Sequence, residues 1–119
     1  MALYTYRISN EAIPRYSLVK LSSTSAGRVE LFKVGDSVAK ATGVALTRAT
    51  QAGVQIRVQE VSGVAANMLS DGTTVIAAGD SVEPSATLDG YIRKSTGNNI
   101  IGQALSGASA VVGALVEVL

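Results

Sequence analysis

Apolar and polar residues exchange at nearly every step in "YSLVKL" (16–21) and "RVELFKV" (28–34). That is the period of a strand with one buried face. Between them "SSTSAG" is rich in turn residues and ends on Gly27, a residue that reaches positive φ without steric cost. "TGVAL" (42–46) and "VQIRVQEV" (54–61) read as further strands, and the pattern returns in "IIGQAL" (100–105) and "ALVEVL" (114–119). Asp71-Gly72 marks a turn, and Asp89-Gly90 is a hairpin signal. The connections "TRATQAG" (47–53) and "SGASAVVG" (106–113) have the alanine content of a short helical turn. Bounded by glycine, each is too short for a stable helix by itself.

These segments come in two series. At an offset of 63, Ile13–Glu30 lies on Ile76–Arg93 without a gap. Ile13/Ile76, Val19/Val82, Ser22/Ser85, Thr24/Thr87, Gly27/Gly90 and Val29/Ile92 then coincide. At an offset of 59, Gly43, Ala45, Leu46 and Ala49 meet Gly102, Ala104, Leu105 and Ala108. After one inserted residue, Gly53, Ile56 and Val58 meet Gly113, Val116 and Val118. The economical reading is two copies, 13–58 and 76–118. The most visible identity, Gly-Asp-Ser-Val at 35–38 and 79–82, fits neither register. Asp80 stands opposite Ser17, while Asp36 falls in Lys33–Thr42, the stretch by which the first copy is longer. Aspartate after glycine is ordinary turn chemistry, its side chain capping backbone donors. The fold expected is all-β: a compact β-barrel or sandwich-like domain, 13–119, built from two related β units and preceded by an extended N-terminal arm, 1–12.

Composition adjusts this picture at three points. One domain fits 119 residues, and a 47% hydrophobic share with only 4% aromatics predicts a core of small side chains. The C-terminal Ile100–Leu119 is long enough to span a bilayer, but its counterpart Gly43–Val58 carries Arg48, Gln51, Gln55 and Arg57. A segment like that does not cross hydrocarbon, so a buried hairpin is expected and no membrane partner. The first residues lack the apolar run of a signal peptide and are charged by Arg7.

Charge and residue types narrow the function. Ten basic and nine acidic residues leave a net charge of +1, and the basic ones are scattered along the chain. No block of them would displace many counterions from a phosphate backbone, so nucleic acid is not an expected partner. Near-zero net charge on an apolar chain eases association. With neither Cys nor His, disulfides, thiolate or imidazole zinc sites and Ser-His-Asp or Cys-His nucleophiles are excluded. No phosphate-binding glycine loop is present. Asp80 and Glu83 are the closest carboxylate pair, just before Pro84, and read as a solvated turn rather than an acid–base pair. No catalytic, metal or cofactor residue is assigned, and no enzyme is expected.

What remains is the N-terminus. Tyr4, Tyr6 and Ile8 share one face of an extended segment, with Leu3, Thr5 and Arg7 on the other. The segment is either a first strand lying on the domain or an arm that adds to another subunit's sheet edge. Tyrosine suits such an anchor, with an apolar face and a polar tip. Leu3, Tyr4, Tyr6 and Ile8 are the candidate partner contacts.

"GVALTRATQAGVQIRVQEVSGVA", the central "VIAAGDSVEPS" with its following Asp-Gly, and the closing "IIGQALSGASAVVGALVEVL" together carry a resemblance. In this order they resemble the capsid cement, or decoration, proteins of tailed phages. That group has long been classed as a domain of unknown function and is sometimes labelled a recombinase. The resemblance covers roughly Ile13 to Leu119. A recombinase would need a nucleotide-binding loop, which this sequence lacks. The resemblance implies a compact β domain on the exterior of the virion. It would form small oligomers, commonly homotrimers, that bridge subunits of the phage major capsid protein. A β-type binding module for carbohydrate, or one associated with a phage tail, is the alternative.

Overall fold

The computed structural model describes residues 4–60, 64–97 and 99–119. It is nearly all β. Strands β1 (Thr5–Ser9), β2 (Leu18–Leu21), β3 (Arg28–Leu31), β4 (Ala41–Ala45) and β5 (Gln55–Gln59) close into a barrel in the order β1-β3-β2-β4-β5. Only β1 and β3 run parallel; the other pairs are antiparallel. The second half supplies β6 (Ala66–Leu69), β7 (Ser81–Pro84), β8 (Ile92–Lys94), β9 (Gly102–Gln103) and β10 (Leu115–Val118). Here β10 pairs with β6, and β8-β7-β9 form a three-stranded sheet. A parallel bridge, Ser70 to Ile92, and an antiparallel one, Ala104 to Val118, complete the circuit β6-β8-β7-β9-β10.

Matching bonds recur along the two halves. Ile13 bridges Ala49, and Ile76 bridges Ala108. The Ser22 hydroxyl accepts from the N–H groups of Thr24 and Ser25, and Ser85 does the same for Thr87 and Leu88. Gly27 and Gly90 close these hairpins at φ of +78° and +81°. The alanine-rich connections are not helical. Ala49 and Ala108 are drawn into β-bridges by the isoleucines opposite, and the turns that follow need Gly53 and Gly113, both at φ +87°. The one helical turn among the described residues is 3₁₀, Val38–Lys40, in the stretch by which the first half is longer.

Alternation places the core. Ile13, Val19, Val29, Ala45, Ile56 and Val58 are buried inside the first barrel. Ile76, Val82, Ile92, Ala104, Val116 and Val118 take the corresponding places in the second half. Leu18, Phe32 and Val44 of the first half join the second cluster and weld the two halves into one core. Gly90 sits at that weld. Its N–H donates to the Phe32 carbonyl at 2.8 Å, and its carbonyl accepts from the Leu18 N–H at 2.9 Å.

Of the two readings of the N-terminal segment, Thr5–Ser9 takes that of a first strand on the domain rather than a detached arm. Thr5–Ser9 is bonded on both edges, from Thr5 opposite Val58 to Ser9 opposite Val29. The Ser9 side chain is fully buried, donating to the Gln51 carbonyl and accepting from the Val54 N–H. The β5 side of this strand is paired from Thr5 to Ile8, and the β3 side at Ile8 and Ser9, so the strand is part of the barrel wall.

The two Gly-Asp-Ser-Val stretches share a local form. In each, glycine has positive φ, +87° at Gly35 and +94° at Gly79. The following aspartate accepts from the N–H three residues back, Lys33 for Asp36 and Ala77 for Asp80, both at 2.9 Å. Their surroundings differ. Asp80 immediately precedes β7, at the place taken by Ser17 before β2: the Asp80 carbonyl accepts from Ala104 N–H as that of Ser17 accepts from Ala45 N–H. The residue before Ser17 is Tyr16, at φ +68° where the second half has Gly79. Asp36 lies in the extra stretch and forms an ion pair with Lys20.

Candidate interaction faces

Strand β1 turns Tyr6 and Ile8 outward, 57% and 36% exposed, with Tyr4 half-buried beside them. Leu3 lies outside the described residues. Tyr6 stands opposite Arg57 and Ile8 opposite Gln55 on β5. The rings of Tyr4 and Tyr6 meet edge to face at 5.3 Å, and the Arg57 guanidinium lies 5.3 Å from the Tyr4 ring centroid. Such cation–π contacts hold the guanidinium without neutralising it. The two phenol oxygens are 3.5 Å apart. Hydrogen bonding within this pair lowers the Tyr4 pKa and raises that of Tyr6.

The fold gathers basic residues that look scattered in sequence. Arg15, Arg48 and Arg57 line one shallow cleft of about 640 Å³ with Leu46 and Thr47. Arg15 stacks over the Tyr16 ring at 4.5 Å and donates from Nε to the Leu46 carbonyl at 3.1 Å. None of the three arginines has a carboxylate partner among the described residues. By contrast Arg7 is paired with Glu60, Lys33 with Glu11 and Arg93 with Glu83. Separation in sequence, at positions 15, 48 and 57, hides the cluster. Only the matching of halves gives a clue, because Arg57 stands where the second half has Glu117.

Asp80 and Glu83 do not form a working pair. The Asp80 carboxylate closes its turn and lies 3.7 Å from Lys94. Glu83 is 2% exposed, not solvated. Its Oε1 accepts from the Thr96 N–H and hydroxyl, both at 3.0 Å, and from Arg93 Nε at 3.1 Å. Burial pushes its pKa up; the Thr96 bonds and the Arg93 charge outweigh that and hold it below the usual value. A carboxylate so satisfied is a structural clip rather than a proton shuttle. Asp36 and Glu83 line one small pocket of about 230 Å³, but each is committed to its own cation. Among the described residues no three acidic side chains converge to hold a metal ion. No helix among them is long and apolar enough to cross a membrane.

The second half presents a face of different chemistry. On β10, Leu115 and Glu117 are exposed, as is Leu119 just after it, while Val116 and Val118 are buried. Leu105 lies alongside, 45% exposed, its N–H bonded to the Glu117 carbonyl. Comparison with known proteins finds no family model that matches the chain and no curated protein significantly similar to it.

Proposed function

We propose that this chain is a structural, non-enzymatic decoration protein. It binds the outside of an icosahedral phage shell, bridges neighbouring major capsid protein subunits and stabilises the particle. Made in the host cytoplasm, it acts at the exterior of the virion, and its copies associate with one another as a homotrimer. The observation that supports this reading best is where the uncommitted side chains lie. The tyrosines, the three arginines and the exposed leucines stand on outer faces of the β domain, while the buried carboxylates are spent on internal pairs. The phage context rests on the resemblance in motif order. Modest contacts repeated over a shell add up to strong attachment, so broad faces suit this role better than a deep pocket.

The test is to titrate purified protein onto undecorated shells, both expanded and unexpanded. Saturable binding to either form is the expected result, and its absence from both would overturn the proposal. The second reading, a carbohydrate-binding module, draws on one feature: Tyr4 and Tyr6 beside the arginine-lined cleft. Micromolar binding on a glycan array, without shell binding, would favour it.

A further inference from the structure

Structurally equivalent positions of the two halves carry opposite charges. Arg57 and Glu117 occupy the same place. The Arg57 carbonyl accepts from the Leu46 N–H at 2.8 Å, and its N–H donates to the Thr47 hydroxyl at 3.0 Å. The Glu117 carbonyl accepts from the Leu105 N–H at 2.7 Å, and its N–H donates to the Ser106 hydroxyl at 3.0 Å. Both side chains are exposed, and neither has an ionic partner among the described residues. Around them the faces diverge in a complementary sense. Opposite Arg57 stands Tyr6, and opposite Glu117 stands Asn67. Two residues either side, Gln55 and Gln59 of the first half become Leu115 and Leu119 of the second.

From this we infer a docking surface whose occupant is a second copy of the chain: the Arg57 face of one copy seats on the Glu117 face of the next. Arginine and tyrosine are the residues that anchor interfaces, because each combines a broad apolar surface with a polar tip. A leucine-lined face with a single acid at its middle is a fitting receptor. The aliphatic side chains cover the rings and guanidinium stems, and Glu117 supplies the counter-charge. Leu105, Leu115 and Leu119 are each about half exposed, while Val116 and Val118 of the same segment are buried in the core. The two faces are different patches of one chain, so the contact is heterologous and repeats from copy to copy until a ring closes. This deepens the self-association proposed above and is independent of what the ring attaches to.

Reversing one charge places like charges in the contact, and reversing both restores the pair. Arg57→Glu and Glu117→Arg are each expected to weaken association roughly tenfold to a hundredfold, read as oligomer mass against concentration by light scattering. Arg57→Glu combined with Glu117→Arg in one chain is expected to recover most of the loss. Both positions are exposed, and unchanged circular dichroism with a cooperative unfolding transition verifies that each variant is folded. Single variants that associate as the parent does, or a double variant no better than the singles, would overturn the interface. A parent chain that is monomeric at every concentration yet saturates shells would also overturn it, while leaving the decoration reading in place. Loss of shell binding by Arg57→Glu with association intact would assign the arginine face to the shell and overturn the inference.

Discussion

The two aspartates of the Gly-Asp-Ser-Val stretches provide a controlled comparison, because their local turns match and their ion pairs do not. Replacing either by alanine removes a 2.9 Å bond to the N–H three residues back. A bond of that kind to an ionised acceptor contributes about 1 kcal/mol or somewhat more. At Asp80 little else is lost, since Lys94 is 3.7 Å away and its side chain is 53% exposed. At Asp36 the partner is Lys20, and the two side chains are only 13% and 17% exposed. Breaking that pair leaves a largely buried ammonium with Glu30 at 4.0 Å as its remaining acid, an added cost of about 1–2 kcal/mol. Asp36→Ala is therefore expected to lose about 2–3 kcal/mol and Asp80→Ala about 1. With a urea slope of roughly 1–3 kcal/mol/M for a small protein, the Asp36 variant shifts the midpoint about twice as far. Asparagine substitutions separate the terms, because the amide oxygen can still accept the turn bond. Asp36→Asn should lose about 1–2 kcal/mol and Asp80→Asn about 0.5 or less. Equal midpoint shifts for the two alanine variants, or an Asp36→Asn as harmless as Asp80→Asn, would refute the reasoning.

Three further outcomes are expected. The folded pKa of Glu83 is depressed, so its stabilisation is complete above the unfolded value of about 4.3 and is lost as pH falls through the lower folded value. Acid unfolding curves of the parent and of Glu83→Gln should thus converge as pH drops, and a difference that stays constant with pH would contradict this. Gly27→Ala meets open space at φ +78° and should cost about 1 kcal/mol, whereas Gly90→Ala, at φ +81°, would place a Cβ 2.8 Å from Leu31 Cδ2 and 3.1 Å from Ser17 Cβ and should cost about 3; thermal melts decide. Tyr16→Gly relieves a positive φ while giving the unfolded chain more freedom, so stability should change by no more than about 1 kcal/mol. The same variant should weaken self-association if Tyr16 supports the arginine face, and a loss of 3 kcal/mol or more would mark it as a core residue instead.

The strands and their buried faces were legible because a closed sheet leaves a period of two in the sequence. Val29, Ile56 and Val58 alternate with polar neighbours and point into the barrel. Alignment of Ile13 with Ile76 and of Ala49 with Ala108 depends on the same constraint, since each pair must bridge across a barrel. Three things escaped. For β1 the sequence leaves a first strand and an arm both open, because neither offset extends to it; its place is fixed by bonds to residues 20 and about 50 positions away, which leave no local mark. The alanine-rich connections suggested a helical turn on propensity, and distant bridge partners overrode that. The arginine cluster was invisible because closure of the barrel, not proximity in sequence, brings Arg15, Arg48 and Arg57 together.

What the two halves share and where they part follow from different demands. Positions that set backbone bonds keep their residue type: Ser22 and Ser85 cap matching hairpins, and Gly27 and Gly90 supply the positive φ there. Outward positions are released from the fold, and there Tyr6 faces Asn67, Gln55 faces Leu115 and Arg57 faces Glu117 in the comparison of halves. Packing inside the barrel accounts for none of those differences. Tyr16 sharpens the point. The second half places Gly79 at the matching left-handed position, where glycine is unstrained, while the first half holds a tyrosine at φ +68°. A side chain of that size costs about 1–2 kcal/mol there. Within the chain its visible return is the stacking of Arg15 at 4.5 Å, which contributes about 0.5–1 kcal/mol at an exposed site and holds one of the three unpaired arginines in place. Backbone strain retained beside arginines that lack a carboxylate partner among the described residues fits the proposed contact with a second copy.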